Sequence, residues 1–216
     1  MSGGANLEVM EEAVRYNRFL LDLIEPRGRV LDFGAGSGTF ARPLAENGVD
    51  VVCVEPEPRA GLKGLRVFRH ASEIEPKSID LVYSFNVLEH IADDAAALAA
   101  LRRVLKPGGR LLLYVPAFMA LYSAMDRRIG HVRRYTKRTL GSVVLDAGFT
   151  IREMRYADSL GFLAALAYKA IGPKSGELNP RSVRLYDRYV FPLSRMLDRV
   201  ADPLIGKNLI LRATRP

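Results

Sequence analysis

Cysteine is nearly absent from this chain: Cys53 stands alone, which excludes an internal disulfide framework and a cysteine-based zinc site. It lies in the apolar run Val51-Val52-Cys53-Val54, where a small buried thiol is expected. Long apolar runs are lacking too. The longest, Leu160 to Ala167, falls far short of the ~20 residues that cross a bilayer. Glu8, Glu11 and Glu12 stand where a secretory leader would carry its apolar core. A soluble, cytoplasmic protein is the expectation. No low-complexity tract occurs and no repeat recurs at a period of about 20–50 residues, which excludes a repeat array. Histidine is scarce, and His70, His90 and His131 are far apart in sequence, so no metal ligand set is predicted. Acids are outnumbered, 24 against 32 Lys and Arg, for a formal net charge of +8. That surplus suits an acidic partner of any kind: a phosphorylated small molecule, an anionic membrane surface or a nucleic acid.

What is present is organised around Arg29 to Phe40. Val30, Leu31 and Phe33 make the short apolar run of a buried strand, and Gly34, Gly36 and Gly38 interrupt it before a helical pattern begins near Phe40. Glycines at alternate positions let the backbone turn sharply and bring its amides close to a ligand, as nucleotide sites require. A dinucleotide fingerprint needs Gly-x-Gly-x-x-Gly, yet counting from Gly34 the sixth position is Thr39, and from Gly36 it is Ala41. The pattern is instead Asp32-x-Gly34-x-Gly36-x-Gly38.

Downstream elements follow in alternation. A helix over Leu7 to Ile24 precedes the first strand, with Tyr16 and Asn17 on its less apolar side. Thr39 to Asn47 reads as a crossover helix, Val49 to Val54 as the second strand, and Glu55-Pro56 closes it. Glu55 thus falls at a strand's carboxyl end, where an acid accepts hydrogen bonds from ribose hydroxyls. Val67 to His70 gives a short third strand and Ile79 to Phe85 a fourth, followed at its carboxyl end by Asn86-Val87-Leu88-Glu89-His90. A helix from Asp93 or Asp94 to Leu105 ends at Lys106-Pro107-Gly108-Gly109, ahead of a fifth strand over Leu111 to Val115. Thr136 to Ala147 is a helix, Phe149 to Tyr156 a sixth strand, and Asn208 to Arg212 the last.

The glycine loop, Glu55 and the Asn86 segment together resemble the class I S-adenosylmethionine-dependent methyltransferases. The resemblance implies one domain over residues 1–216: an α/β, doubly wound, mostly parallel seven-stranded sheet in the order 3-2-1-4-5-7-6 with its last strand antiparallel. It makes S-adenosyl-L-methionine the cofactor, held by Tyr16, Asp32, Gly34, Ala35, Gly36, Gly38, Glu55, Pro56, Ala71, Asn86, Val87 and His90. His70-Ala71 departs from the Asp-Ala pair usual in the family. Methyl transfer from a sulfonium calls for no metal. Val87-Leu88 replaces the Pro-Pro-aromatic signature of base N-methylases, which argues against nucleic acid as acceptor.

Between the fifth strand and the next helix lies a block dense in charge: Tyr122, then Asp126-Arg127-Arg128-Ile129-Gly130-His131-Val132-Arg133-Arg134-Tyr135-Thr136. Such a loop repels itself unless an acidic group meets it, so it reads as a substrate wall or as a loop that pairs with Asp126 and caps a helix with Thr136. It resembles a bacterial subgroup of small-molecule methyltransferases in which Gly-His-x-Arg-Arg-Tyr-Thr recurs. On this reading Tyr122, Arg133, Arg134 and Tyr135 bind a small-molecule acceptor and His131 is the general base, with His90 as the alternative. Residues 157–207 form a helical insertion: an apolar helix near Leu160 to Ile171, a break over Gly172 to Pro180, and a basic amphipathic helix over about Ser182 to Val200. The second of these helices packs against the core or, alternatively, serves as a lid, a dimer face or a membrane-surface element. The rival readings are a nicotinamide-dependent oxidoreductase and an RNA or DNA methyltransferase.

Overall fold

Strands buried on both faces send alternate side chains into two separate cores, and this chain does so throughout. Val30–Phe33 (β1), Val51–Val54 (β2), Arg66–Phe68 (β3), Ile79–Phe85 (β4), Leu105–Pro116 (β5), Thr150–Ala157 (β6) and Asn208–Thr214 (β7) form one sheet in a computed structural model. The strand order is β3-β2-β1-β4-β5-β7-β6, as the family resemblance implies. Pairings are parallel except those of β7, which runs antiparallel to both β5 and β6. The structure describes residues 9–200 and 204–216; Leu7 of the expected first helix and residues 201–203 of the insertion lie outside the described residues.

On one face Leu31, Val52, Val82, Leu111, Leu113 and Leu209 pack against Leu98 and Leu101 of α3 (Asp94–Val104) and, beyond the short α4 (Ala124–Ile129), Leu140 and Val144 of α5 (Lys137–Asp146). On the other, Val30, Cys53, Leu81, Leu112 and Ile210 meet Leu20 of α1 (Val14–Leu23) and Leu44 of α2 (Ala41–Glu46). Each fully buried aliphatic chain contributes roughly 1.5–3 kcal/mol. Cys53 is among them, fully buried, as its apolar run predicts.

Three elements differ from the sequence reading. The expected helix over Leu7 to Ile24 is interrupted at Glu12 and Ala13, so α1 begins only at Val14. β5 starts at Leu105, directly after α3, and runs through Lys106-Pro107-Gly108-Gly109. The extension exists because Leu105 pairs with Ile79 and the backbones of Gly108 and Gly109 exchange hydrogen bonds with Arg215. The expected single helix over Ser182 to Val200 is α7 (Pro180–Leu185), a π turn over Tyr186–Val190 and α8 (Phe191–Val200). A π turn advances the register of side chains, and here it places Asp187 on the buried side.

The insertion is stitched to the core. Phe191 is buried edge-on against Tyr16, and Asp187 accepts the backbone N–H groups of Arg15 and Tyr16 at 3.0 and 2.8 Å. Those amides open α1 and have no partner within the helix, so a carboxylate from the insertion completes them and opposes the helix dipole. At its start, Asp158 caps α6 (Ser159–Ile171) through Gly161 N–H, and Asp198 of α8 accepts the Asp158 amide at 2.7 Å. Leu185, Tyr189, Leu193 and Met196 stay exposed beside Arg184 and Arg188.

Replacing Asp187 with Ala strips two amides of a charged acceptor and is expected to cost about 1–3 kcal/mol. Urea unfolding at neutral pH reads this as a lower midpoint with an unchanged slope. An unshifted midpoint would mean that α1 is not held by the insertion.

Candidate active site at the carboxyl edge of the sheet

The glycine loop leaves β1 at the edge where parallel strands end. Gly34, Gly36 and Gly38 take φ values of +84°, +54° and +85°, which other residues rarely adopt. The sequence pattern brings the loop amides close to a ligand. They are occupied instead: Gly34 and Ala35 donate to the Val54 carbonyl at 2.8 and 3.2 Å, Gly36 to Glu55 Oε2 at 2.8 Å, and Gly38 to the Ala35 carbonyl at 2.8 Å. What the loop offers a ligand is space. A Cβ at Gly36 would meet nothing within 4 Å, whereas one at Gly34 would lie 2.3 Å from a Val87 methyl. Gly34 therefore serves the packing of β1 on β4, and Gly36 opens the backbone to a ligand.

Two acids flank that opening. Glu55 is half-buried and already turned toward the loop, with Pro56 exposed beyond it. Asp32 is buried, and its Oδ2 has no hydrogen-bond partner. Burial pushes the Asp32 carboxyl up to about 7, the nearby Tyr83 hydroxyl opposing the rise and the Glu55 charge adding to it. From the amino side, Glu11 accepts a hydrogen bond from the Ser37 hydroxyl, so the segment before α1 reaches across the loop.

The end of β4 supplies the next group. Asn86 sits at φ +53°, a strained value for a residue with a side chain, and its Nδ2 lies 3.4 Å from the Tyr16 hydroxyl. Tyr16 is buried, not on the open side of its helix as the sequence reading had it, because Tyr114 and Phe191 pack edge-on against its ring. Burial pushes its hydroxyl up to about 12. Ala71 is buried among core residues with its carbonyl taken by Arg103.

The basic block is met by acids of the chain itself. Arg134 is buried and grips Asp126 with Nε and Nη2 at 2.7 and 3.1 Å; Tyr135 is buried and donates to Asp94 Oδ2 at 2.8 Å. Arg133 pairs with the same Asp94, and Tyr122 gives its hydroxyl to the His131 carbonyl at 2.7 Å. These four side chains bind the protein itself, because the anions the loop requires are its own Asp126 and the Asp94 of α3. The alternative role for the block, with Thr136 capping α5, is the arrangement present.

That scaffold carries His131 across to β4. His131 is buried, only 8 % exposed; its Nδ1 lies 2.7 Å from Asp126 Oδ1, and its Nε2 faces Glu89 Oε1 at 3.6 Å. The neighbouring backbone fixes the approach, Val132 N–H donating to the Glu89 carbonyl at 2.9 Å. The exposed His90 ring stands edge-on to His131 with centroids 4.6 Å apart. Two histidines remote in sequence are thus neighbours, contrary to the sequence reading. Burial pushes Glu89 up to about 8 and, with His131 beside it, pushes His90 down to about 4.

Sequence reasoning missed Tyr186 and Lys207. The Lys207 ammonium lies 5.8 Å from the rings of both Tyr16 and Tyr186, and Tyr186 donates to Asp158. No local pattern marks them, since they arrive through the insertion. A depression on the opposite edge of the sheet has its charges paired, Arg29 with Asp50 and Lys106 with Asp80.

Asp32 generates a pH prediction. Its folded value near 7 lies above the unfolded 3.8, so the native state alone keeps the proton between them. The associated stability is complete below the unfolded value and disappears as pH rises through the folded one. Asp32→Asn is therefore expected to flatten the fall in Tm between about pH 5 and about pH 8 and to exceed the wild-type Tm at the upper end. Parallel pH profiles for the two proteins would contradict the assignment.

Comparison with known proteins agrees with this geometry. A family model described as a methyltransferase domain matches residues 8–154. An uncharacterised methyltransferase of Mycobacterium tuberculosis is 36% identical over 134 residues, 58% of this chain and 50% of the relative. A ubiquinone biosynthesis O-methyltransferase of Cereibacter sphaeroides is 35% identical over 97 residues, 39% of each chain. The chain spans about half the length of the curated relatives it matches first. Among solved structures, a SAM-dependent methyltransferase of Archaeoglobus fulgidus superposes with a TM-score of 0.63 at 19% identity, over 95% of this chain and 94% of that one. Phosphoethanolamine N-methyltransferase 2 of Haemonchus contortus, in complex with S-adenosyl-L-methionine, gives 0.60 at 22% identity over 93% and 52%. The fold is theirs, and with the family model covering most of the sheet and its ligand edge, this chain belongs to the methyltransferase domain family.

Proposed function

We propose that the protein transfers a methyl group from S-adenosyl-L-methionine to a small-molecule acceptor, anionic or carried on a sugar or lipid. The observation that carries this reading is the open space over Gly36 between two acids, Asp32 and Glu55, at the carboxyl end of β1 and β2. When bound, the cofactor supplies an electrophilic methyl on a sulfonium, so the protein's main task is to hold donor and acceptor in line. Glu55 accepts from the ribose hydroxyls, giving up its bond to the Gly36 amide. Asp32, buried with an unpartnered oxygen, complements a cationic ligand. Tyr16 and Asn86 border the loop on the side of the reacting methyl, and Val87 backs Gly34.

The acceptor side is built by β4, the loop after β5 and the insertion. Asp126 holds Nδ1–H of His131, which leaves Nε2 as the acceptor nitrogen facing Glu89 and His90. His131 orients an acceptor hydroxyl and takes its proton at Nε2. Curated relatives named O-methyltransferases support a hydroxyl acceptor. A nicotinamide cofactor fits less well, since the third glycine of its fingerprint is missing.

Calorimetry with S-adenosylhomocysteine tests the cofactor half. Gly36→Val is expected to abolish binding by filling the open space, and Glu55→Ala to weaken it by about 1–3 kcal/mol. Unchanged affinity in both variants, or tighter binding of a nicotinamide dinucleotide, would overturn the reading. For the acceptor half, His131→Ala should lose roughly 100-fold or more in turnover while S-adenosylhomocysteine affinity is retained. Normal turnover would reduce His131 to a structural residue.

A further inference from the structure

We infer that Glu89, His90 and His131 form a binding site for a divalent first-row transition metal ion, of the kind that imidazole nitrogens favour. One ligand atom from each of the three residues lies within 4.8 Å of the others. Tetrahedral bonds of about 2.0–2.1 Å put donor atoms roughly 3.3–3.4 Å apart. His131 Nε2 and Glu89 Oε1, at 3.6 Å, are already near that spacing, and they are too far apart for a hydrogen bond. The exposed His90 closes the remaining gap by rotating its side chain.

Two further observations point to a cation. Glu89 has no solvent exposure, and neither carboxylate oxygen has a hydrogen-bond partner. A carboxyl withdrawn from water in this way keeps its proton unless a positive partner meets it, and a metal ion held with the two imidazoles is such a partner. The second is the support behind His131. Its Nδ1 is held 2.7 Å from Asp126 Oδ1, and Asp126 is itself gripped by Arg134. A carboxylate behind one ring nitrogen, turning the other toward the ion, is how proteins orient metal-ligating histidines.

Two histidines and one carboxylate leave coordination positions open, and the exposed His90 places them on the solvent side of the edge. An acceptor hydroxyl bound there would be fixed in position and made more acidic. In that state His131 Nε2 serves the metal, and the ion takes over the task of activating the hydroxyl. This role toward the acceptor rests on the methyl-transfer reading; the metal site does not.

The test therefore uses neither cofactor nor acceptor. The full-length protein is stripped of metal and titrated with Co²⁺, followed by its visible ligand-field absorption and by calorimetry. Saturation at one equivalent is expected. His90→Ala, an exposed change, and the isosteric Glu89→Gln should each weaken Co²⁺ binding at least ~10-fold, whereas His70→Ala, at the remaining histidine, leaves it unchanged. Absence of stoichiometric binding, or wild-type Co²⁺ affinity in both His90→Ala and Glu89→Gln, would overturn the proposal while leaving S-adenosylhomocysteine binding to be judged on its own.

Discussion

Asp126 is the charge on which the loop after β5 depends. It has no solvent exposure, and it receives the Ser123 amide, the His131 ring and two nitrogens of Arg134. Burial alone would raise its pKa, but the bonds from His131 and Arg134 outweigh that and hold the carboxyl well below the usual range. An ion pair of this kind adds little net stability against an apolar equivalent, yet losing one partner strands a buried charge. Its value here is geometric: with Asp94 holding Arg133 and Tyr135, it fixes a highly basic loop in one conformation. That conformation places His131 opposite Glu89.

The two halves of the site then meet along one line of strand ends. β1 and β2 contribute the glycine loop and Glu55, β4 contributes Asn86 through His90, and the connection after β5 returns His131 to β4. The insertion closes the row from above α1, through Asp187, Phe191 and Tyr186. Chemistry at this edge is a general property of parallel sheets, because the connections that can vary without disturbing the core all lie there.

Much of this was legible in the sequence. Short apolar runs give the strands, and Asp32-x-Gly34-x-Gly36-x-Gly38 gives the loop, while the strand order follows from the family resemblance those residues carry and not from the pattern itself. Side-chain pairing was not legible. The cationic block was equally compatible with an external anion and with internal ones, and only the fold reveals that Asp126 and Asp94 meet it. For the same reason the three histidines looked isolated, although a single loop return brings two into contact. Asp187 escaped notice because a π turn shifts it out of the helical stripe that the spacing suggested.

The central claim, catalysed methyl transfer at this edge, is tested most directly by tracing the methyl group. The protein is incubated with isotopically methyl-labelled S-adenosylmethionine and small-molecule extracts of its source cells, and the mixture is read by mass spectrometry. The account predicts a labelled small-molecule product, formed with S-adenosylhomocysteine and absent without the protein. Labelled product no greater than in the protein-free control, across extracts that contain intact acceptor pools, would contradict it.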